Sequence, residues 1–74
     1  MQEKYKQVNC NFYDQLERYA TLKTKLFITY AQNNSEIREE IEIKTLETQD
    51  KSEYLISNLD KRIRLDQIIS ILEA

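Results

Sequence analysis

The sequence predicts a mainly β domain with one N-terminal α-helix, built as a small five-stranded antiparallel barrel. Apolar residues recur at helical spacing only between residues 12 and 21, and beyond residue 25 their period changes to two. Clusters of Asn, Asp and Ser then divide the chain into short segments typical of strands. A single domain over residues 1–74 buries a small core, and a flat sheet of this size leaves long edges exposed, so we expect the sheet to close on itself.

The helix is expected over about residues 11–21. Asn11 is the predicted N-cap, and Asp14 follows three residues later, at the spacing of a capping box. The apolar positions behind the cap predict a buried stripe: Phe12, Leu16, Tyr19 and Ala20. A different face carries Tyr13, Asp14 and Glu17. Asp14 therefore has two open and compatible roles, as a helix cap and as a contact with a partner.

The barrel is expected over about residues 25–72. Its strands are expected at residues 25–31, 37–46 and 53–57, followed by two short pieces of the tail on either side of a 3₁₀ turn at 65–67. Loops are expected at 48–51 and 58–61. Because the chain contains no Gly or Pro, Asn33 and Asn34 are predicted to make the first hairpin turn, since Asn tolerates left-handed backbone better than most residues.

Composition excludes several classes of functional site. A chain without His lacks the commonest general base and metal ligand, and a chain without Gly cannot form the known phosphate-binding loops. We therefore expect a protein that is not an enzyme and holds no cofactor or metal. The single Cys10 cannot form an internal disulfide, and with no His to activate it we expect a small buried hydrophobe.

The expected location is the cytoplasm. One cysteine fits a reducing compartment, no apolar run is long enough to span a bilayer, and the polar residues 1–7 are unlike a signal peptide. The net charge is −2, and residues 36–60 hold eight acids against three bases. This acidic balance disfavours binding to a phosphate backbone. The acids of residues 36–42 are interpreted as a solvated strand face and edge, with a second partner-binding patch as the alternative.

Three segments carry a resemblance to a known family: Tyr5-x-x-Val8-Asn9-Cys10-x-x-Tyr13-Asp14-x-Leu16-Glu17, Glu53-Tyr54-Leu55, and Ile63-Arg64-Leu65-Asp66-Gln67-Ile68. In order and spacing they resemble the Rho-binding antiterminator (Rof-like) family of bacteria. The resemblance runs from about Tyr5 to Ile71. Its first and last blocks mix residue types that core packing alone does not demand.

The resemblance implies an Sm-like or SH3-like barrel preceded by a helix. It also implies a non-enzymatic protein that binds the hexameric transcription termination factor Rho at its primary RNA-binding site, keeps RNA out and suppresses termination. Carried over position by position, the partner-binding residues are Cys10, Asn11, Tyr13, Asp14, Glu17, Gln49, Asp50 and Lys51. Family members often carry acids directly after the cysteine, where this chain has Asn11 and Phe12, and the loop at 49–51 also differs in charge.

Two other functions stay open beside the inhibitor. An Sm-like RNA-binding module is disfavoured by the acidic middle of the chain and by the lack of a basic cluster with interleaved aromatic residues. A structural subunit that pairs its edge strands into a ring is the third possibility, whereas the inhibitor is expected to be a monomer.

Several individual residues have a purely structural interpretation as well as a functional one. Tyr13 is favoured as an exposed contact, because Phe12 already takes the stripe position. Asp66 is interpreted as a structural carboxylate that accepts backbone amides at a corner between strands. The remaining tyrosines singled out are interpreted as packing residues with hydrated hydroxyls: Tyr5, Tyr30 and Tyr54.

Overall fold

A computed structural model describes residues 5–74, so the first four residues of the predicted polar stretch lie outside the described part. The elements, in chain order, are α1 (Cys10–Leu22), β1 (Leu26–Gln32), β2 (Ser35–Ile41), β3 (Ile43–Gln49), β4 (Ser52–Ser57), β5 (Arg62–Arg64), a 3₁₀ turn (Leu65–Gln67) and β6 (Ile68–Glu73). The prediction of a mainly β domain with one N-terminal helix is confirmed, as is the 3₁₀ turn between the two short tail strands. No helix within residues 5–74 is long and apolar enough to cross a membrane.

The predicted second strand, residues 37–46, is wrong as a single strand. It is divided at Glu42 into β2 and β3, which lie in different three-stranded antiparallel sheets with the orders β2-β1-β6 and β3-β4-β5. The predicted count of five strands is therefore corrected to six. Asn58 holds the backbone of Glu42 at this division through two hydrogen bonds. Its backbone N–H donates to the Glu42 carbonyl at 2.9 Å, and its side-chain oxygen accepts from the Glu42 N–H at 3.1 Å.

Both ends of α1 follow capping rules. The N-cap is Asn9 rather than the predicted Asn11: its Oδ1 accepts from the Asn11 N–H at 2.7 Å, so Asn11 lies inside the helix. At the other end Lys23 adopts a left-handed conformation, with φ of 53°. Its N–H donates to the Ala20 carbonyl and the Thr24 N–H to the Tyr19 carbonyl, which is the hydrogen-bond pattern of a Schellman motif.

Two tight hairpins place residues other than glycine at positive φ. Asn33 and Asn34, with φ of 50° and 63°, link β1 to β2 as predicted, and Asp50 and Lys51, with φ of 51° and 65°, link β3 to β4. Positive φ at both central residues defines the two-residue turn whose twist matches that of paired strands. The predicted loop at 48–51 is therefore narrower than expected, because Thr48 and Gln49 still belong to β3.

The core lies between the two sheets and under α1. Its buried apolar side chains come from nearly every element: Leu16, Leu26, Ile28, Tyr30, Ile41, Ile43, Leu55, Ile63 and Leu65. Of the stripe predicted for α1, Leu16 is fully buried and the other three positions pack partly buried against the core. Burial of these side chains is the main force that holds the helix on the sheets.

Polar side chains cross-link the elements around this core. Glu39 of β2 accepts hydrogen bonds from the Tyr30 hydroxyl and from Lys61 Nζ, the latter at 3.0 Å to both carboxylate oxygens. Asp66 accepts from Arg64 Nε at 2.6 Å, from Arg64 Nη2 at 2.9 Å and from the Lys6 backbone N–H at 3.0 Å. The structural interpretation of Asp66 fits this geometry, although the amide it accepts belongs to the N-terminal segment.

Candidate functional site

Two carboxylates of α1, those of Asp14 and Glu17, are exposed to solvent. Neither forms an ion pair within the described residues 5–74. The first turn of the helix contains no acid and Asn9 supplies the cap, so the alternative role of Asp14 as a helix cap is wrong. Both negative charges are therefore available to a positively charged partner.

Tyr13 lies between these acids and the second sheet. The prediction of an exposed Tyr13 is corrected, because its side chain is half-buried and packs partly against the core. It lines two shallow depressions, one of about 340 Å³ with Glu17 and Leu46 and one of about 160 Å³ with Asp14 and Glu53. Burial raises the pKa of the Tyr13 hydroxyl, and the negative charges of Glu17 and Glu53 raise it further.

Glu53 of β4 is a functional candidate that the sequence analysis did not assign. Its Oε1 accepts a hydrogen bond from the Tyr5 hydroxyl at 2.8 Å, and its side chain lines the depression shared with Tyr13 and Asp14. Burial raises the pKa of Tyr5, and the hydrogen bond to this carboxylate raises it further. The expectation of a hydrated Tyr5 hydroxyl is therefore corrected. We call Tyr13, Asp14, Glu17 and Glu53 together the acidic face.

The three residues predicted from the second hairpin separate in the structure. Lys51 lines a depression with Tyr5 and Glu53, next to the acidic face. Gln49 instead accepts a hydrogen bond from Arg62 Nη2, and by strand alternation it lies on the opposite side of β3 from Thr48, which lines the same depression as Lys51. Asp50 is exposed at the tip of the turn. Only Lys51 of the three thus borders the acidic face.

The two predicted residues at the start of α1, Cys10 and Asn11, have different surroundings. Cys10 is exposed, which corrects the expectation of a buried hydrophobe, and it lines the smaller depression with Tyr13 and Asp14. Asn11 is exposed and lines none of the depressions that Tyr13 shares. Of the eight predicted positions, the structure brings together those on the β3–β4 side of the helix and the hairpin residue next to them: Cys10, Tyr13, Asp14, Glu17 and Lys51.

The acidic face offers carboxylate acceptors, an aromatic ring and shallow relief, which together are chemically suited to contact with a basic protein surface. Within the described residues, no three potential metal ligands lie close enough to hold an ion. No protein-family model, curated protein or solved structure matches the chain.

Proposed function

We propose that this chain is a protein-binding domain that docks the acidic face onto the basic primary RNA-binding site of Rho, and so suppresses Rho-dependent termination in the cytoplasm. The partner comes from the resemblance of the Asn-Cys-x-x-Tyr-Asp-x-Leu-Glu block. The docking mode rests on the exposure of Asp14 and Glu17 without an ion pair within residues 5–74. The function needs no chemical step, since occupancy alone excludes RNA.

Electrostatics supports the choice of a basic groove. A site that holds polyanionic RNA is positively charged, and unpaired carboxylates compete for it by charge complementarity. The half-buried Tyr13 adds an aromatic side chain beside those charges, and aromatic side chains are enriched among the residues that dominate binding energy. Because exposed charges are screened by salt, the affinity is expected to fall as ionic strength rises.

The proposal extends to the architecture. We propose that the two sheets together form a partly open Sm-like barrel in which β2 and β3 are the two halves of one sharply bent strand. Only Glu42 separates these halves, and the 3₁₀ turn links β5 to β6 in the same way that Glu42 links β2 to β3, by passing the chain from one sheet to the other. This arrangement leaves α1 packed beside β3, which is where the acidic face lies.

The direct test measures binding to purified Rho by displacement of a labelled single-stranded RNA. The Asp14→Lys, Glu17→Lys double variant should lose displacement, because two attractive charges become repulsive. The matched control is the Glu36→Lys, Glu40→Lys double variant, which changes the net charge equally at two exposed acids of β2. The control should displace RNA at nearly the wild-type concentration, and circular dichroism should show that both variants fold.

Three outcomes contradict the proposal in different ways. Equal losses in the two double variants would mean that net charge, and not the acidic face, governs binding. Absence of binding between the wild-type protein and Rho would rule out Rho as the partner. Direct binding of the wild-type protein to single-stranded RNA at micromolar concentration and physiological salt would favour the RNA-binding module instead.

A further inference from the structure

Strand β6 is an end strand of its sheet without charged residues from Ile68 to Leu72, and its pairing with β1 is regular except for one register shift, between Thr29 and Tyr30, where Ile69 has no partner. The sheet order β2-β1-β6 leaves one side of β6 without a neighbouring strand within residues 5–74. From Gln67 to Leu72 the strand carries no charged residue, and four of its six residues are Ile or Leu. Natural proteins cover such edges or place charges on them, because an open apolar edge pairs with another strand.

The other three end strands are protected in recognisable ways. β2 carries the exposed acids Glu36 and Glu40, and β3 is packed against α1. β5 is three residues long and contains two arginines. Among the strands described, β6 alone combines length, apolar composition and an open side.

Exposed apolar side chains continue from this edge onto the outer face of the sheet. Ile69 and Leu72 are 53% and 57% exposed. Leu72 lies directly opposite Phe27 of β1, which is 40% exposed, so the two form an apolar cross-strand pair that faces solvent. The open edge and the exposed apolar patch therefore meet at the same strand.

The charge pattern of β6 makes a second copy of β6 a suitable occupant of this edge. Like charges directly opposite each other on paired strands are destabilising, and β6 carries one charge, at Glu73. When two copies pair antiparallel about a two-fold axis near Ser70 and Ile71, Glu73 of each copy faces one of the uncharged residues 67–69 of the other, so like charges never oppose.

We infer that two copies of this chain associate through antiparallel β6–β6 pairing, which joins their β2-β1-β6 sheets into one six-stranded sheet. The two-fold axis makes the contact self-complementary and closed, so assembly stops at the dimer. One strand pair buries little surface, and the dimer is therefore weak, with Kd on the order of 10–100 μM. At low micromolar concentration the chain is the monomer expected from the sequence, and this inference does not depend on the proposed binding to Rho.

The experiment is sedimentation equilibrium of the full chain from about 1 μM to about 1 mM, a range that brackets the expected Kd. The wild-type protein should pass from monomer to dimer. The Ile69→Lys, Leu72→Lys double variant should raise Kd at least about tenfold, because paired edges would then carry opposed lysines. The matched control is Leu22→Lys, Leu59→Lys, which makes the same change at side chains 67% and 63% exposed on α1 and on the β4–β5 turn, and it should dimerise like the wild type.

A cross-linking measurement keeps the inference testable if the lysine variant folds poorly. In a Cys10→Ser background, Ser70→Cys should give a disulfide-linked dimer on mild oxidation, because the residue lies near the axis. Ser35→Cys, at an exposed serine of the end strand β2, should stay monomeric. A monomer at every concentration, equal loss of dimer in the control, or growth beyond the dimer would overturn the inference.

Discussion

The carboxylates of α1 and those around the β5–β6 corner share the same chemistry but have opposite surroundings. Asp14 and Glu17 are exposed without an ion pair within residues 5–74, whereas the Asp66 side chain is 9% exposed and accepts three hydrogen bonds. Glu39 resembles Asp66, because Lys61 and Tyr30 both donate to it. The difference separates acids that maintain the fold from acids available to a partner.

The number of acids in a segment does not show which of them are available to a partner. Residues 36–60 hold most of the acids, yet four of these eight have partners within the fold: Glu39, Glu47, Glu53 and Asp60. The sparser acids of α1 have none within the described chain. A variant at a corner acid should therefore change stability, and a variant at a helix acid should change binding.

The largest expected effect is the loss of stability in Asp66→Ala. This change removes both hydrogen bonds from Arg64 and leaves the Lys6 N–H without its acceptor, in a pair whose side chains are 13% and 9% exposed. We expect a loss of about 3 kcal/mol in the free energy of unfolding, measured by urea denaturation, because two charge-assisted hydrogen bonds are lost, each worth about 1.5 kcal/mol or more. The matched Asp14→Ala should stay within about 0.5 kcal/mol of the wild type. Equal losses of stability in Asp66→Ala and Asp14→Ala would contradict the distinction between acids that maintain the fold and acids available to a partner.

The next effect concerns binding. Tyr13→Ala should weaken binding to Rho about tenfold, which corresponds to about 1.4 kcal/mol, because Tyr13 is the aromatic residue of the acidic face. Tyr19→Ala is the control, since Tyr19 is also half-buried on α1 and packs partly against the core. Isothermal titration should show weakened binding for Tyr13→Ala alone, and a similar loss in both variants would trace the effect to helix packing.

A smaller effect should appear in the acid dependence of stability. The hydrogen bonds from Tyr30 and then Lys61 hold the pKa of Glu39 below its usual range. Its stabilisation is therefore fully present above the ordinary glutamate pKa of about 4.3, and is lost as pH falls from there through the lower folded-state pKa.

Glu39→Gln tests this directly. At pH 7 the variant should be less stable by about 1 kcal/mol, the value of a lost hydrogen bond, and the deficit should shrink in acid. Glu40→Gln, at the exposed neighbouring position, is the control and should follow the wild-type curve. A deficit that stays constant from pH 7 to about pH 2 would contradict the assigned role of Glu39.

The elements were predictable because their determinants are local. Helical spacing located α1, and the Asn33-Asn34 turn located the first hairpin. The division at Glu42 was not predictable from alternation, because Ile41 and Ile43 are both buried and keep the period of two unbroken across it. Only the exchange of strand partners reveals the division, and such partners are a tertiary property.

The site was predictable on the helix and missed on the sheet. Asp14 and Glu17 could be assigned to one face by spacing within a single helix. Glu53 reaches the same surface from a strand remote in sequence, although one signal pointed to it: it shares strand parity with the buried Leu55 and Ser57. An acid on the inward side of a strand needs a hydrogen-bond partner, and here that partner is Tyr5.

The smallest expected effect is at Lys51, where one substitution should change both the stability of the fold and the binding of the acidic face. Its φ of 65° costs about 1–2 kcal/mol for a non-glycine residue, and the extra freedom of glycine in the unfolded chain offsets about half of the gain on replacement. Lys51→Gly should therefore stabilise the fold by about 0.5 kcal/mol in urea denaturation. It also removes a cation beside Glu53, so binding to a basic groove should tighten a few-fold at low salt. Asn34→Gly, at φ of 63° in the other hairpin, should leave binding unchanged, and weaker binding by Lys51→Gly would instead assign Lys51 a direct contact with the partner.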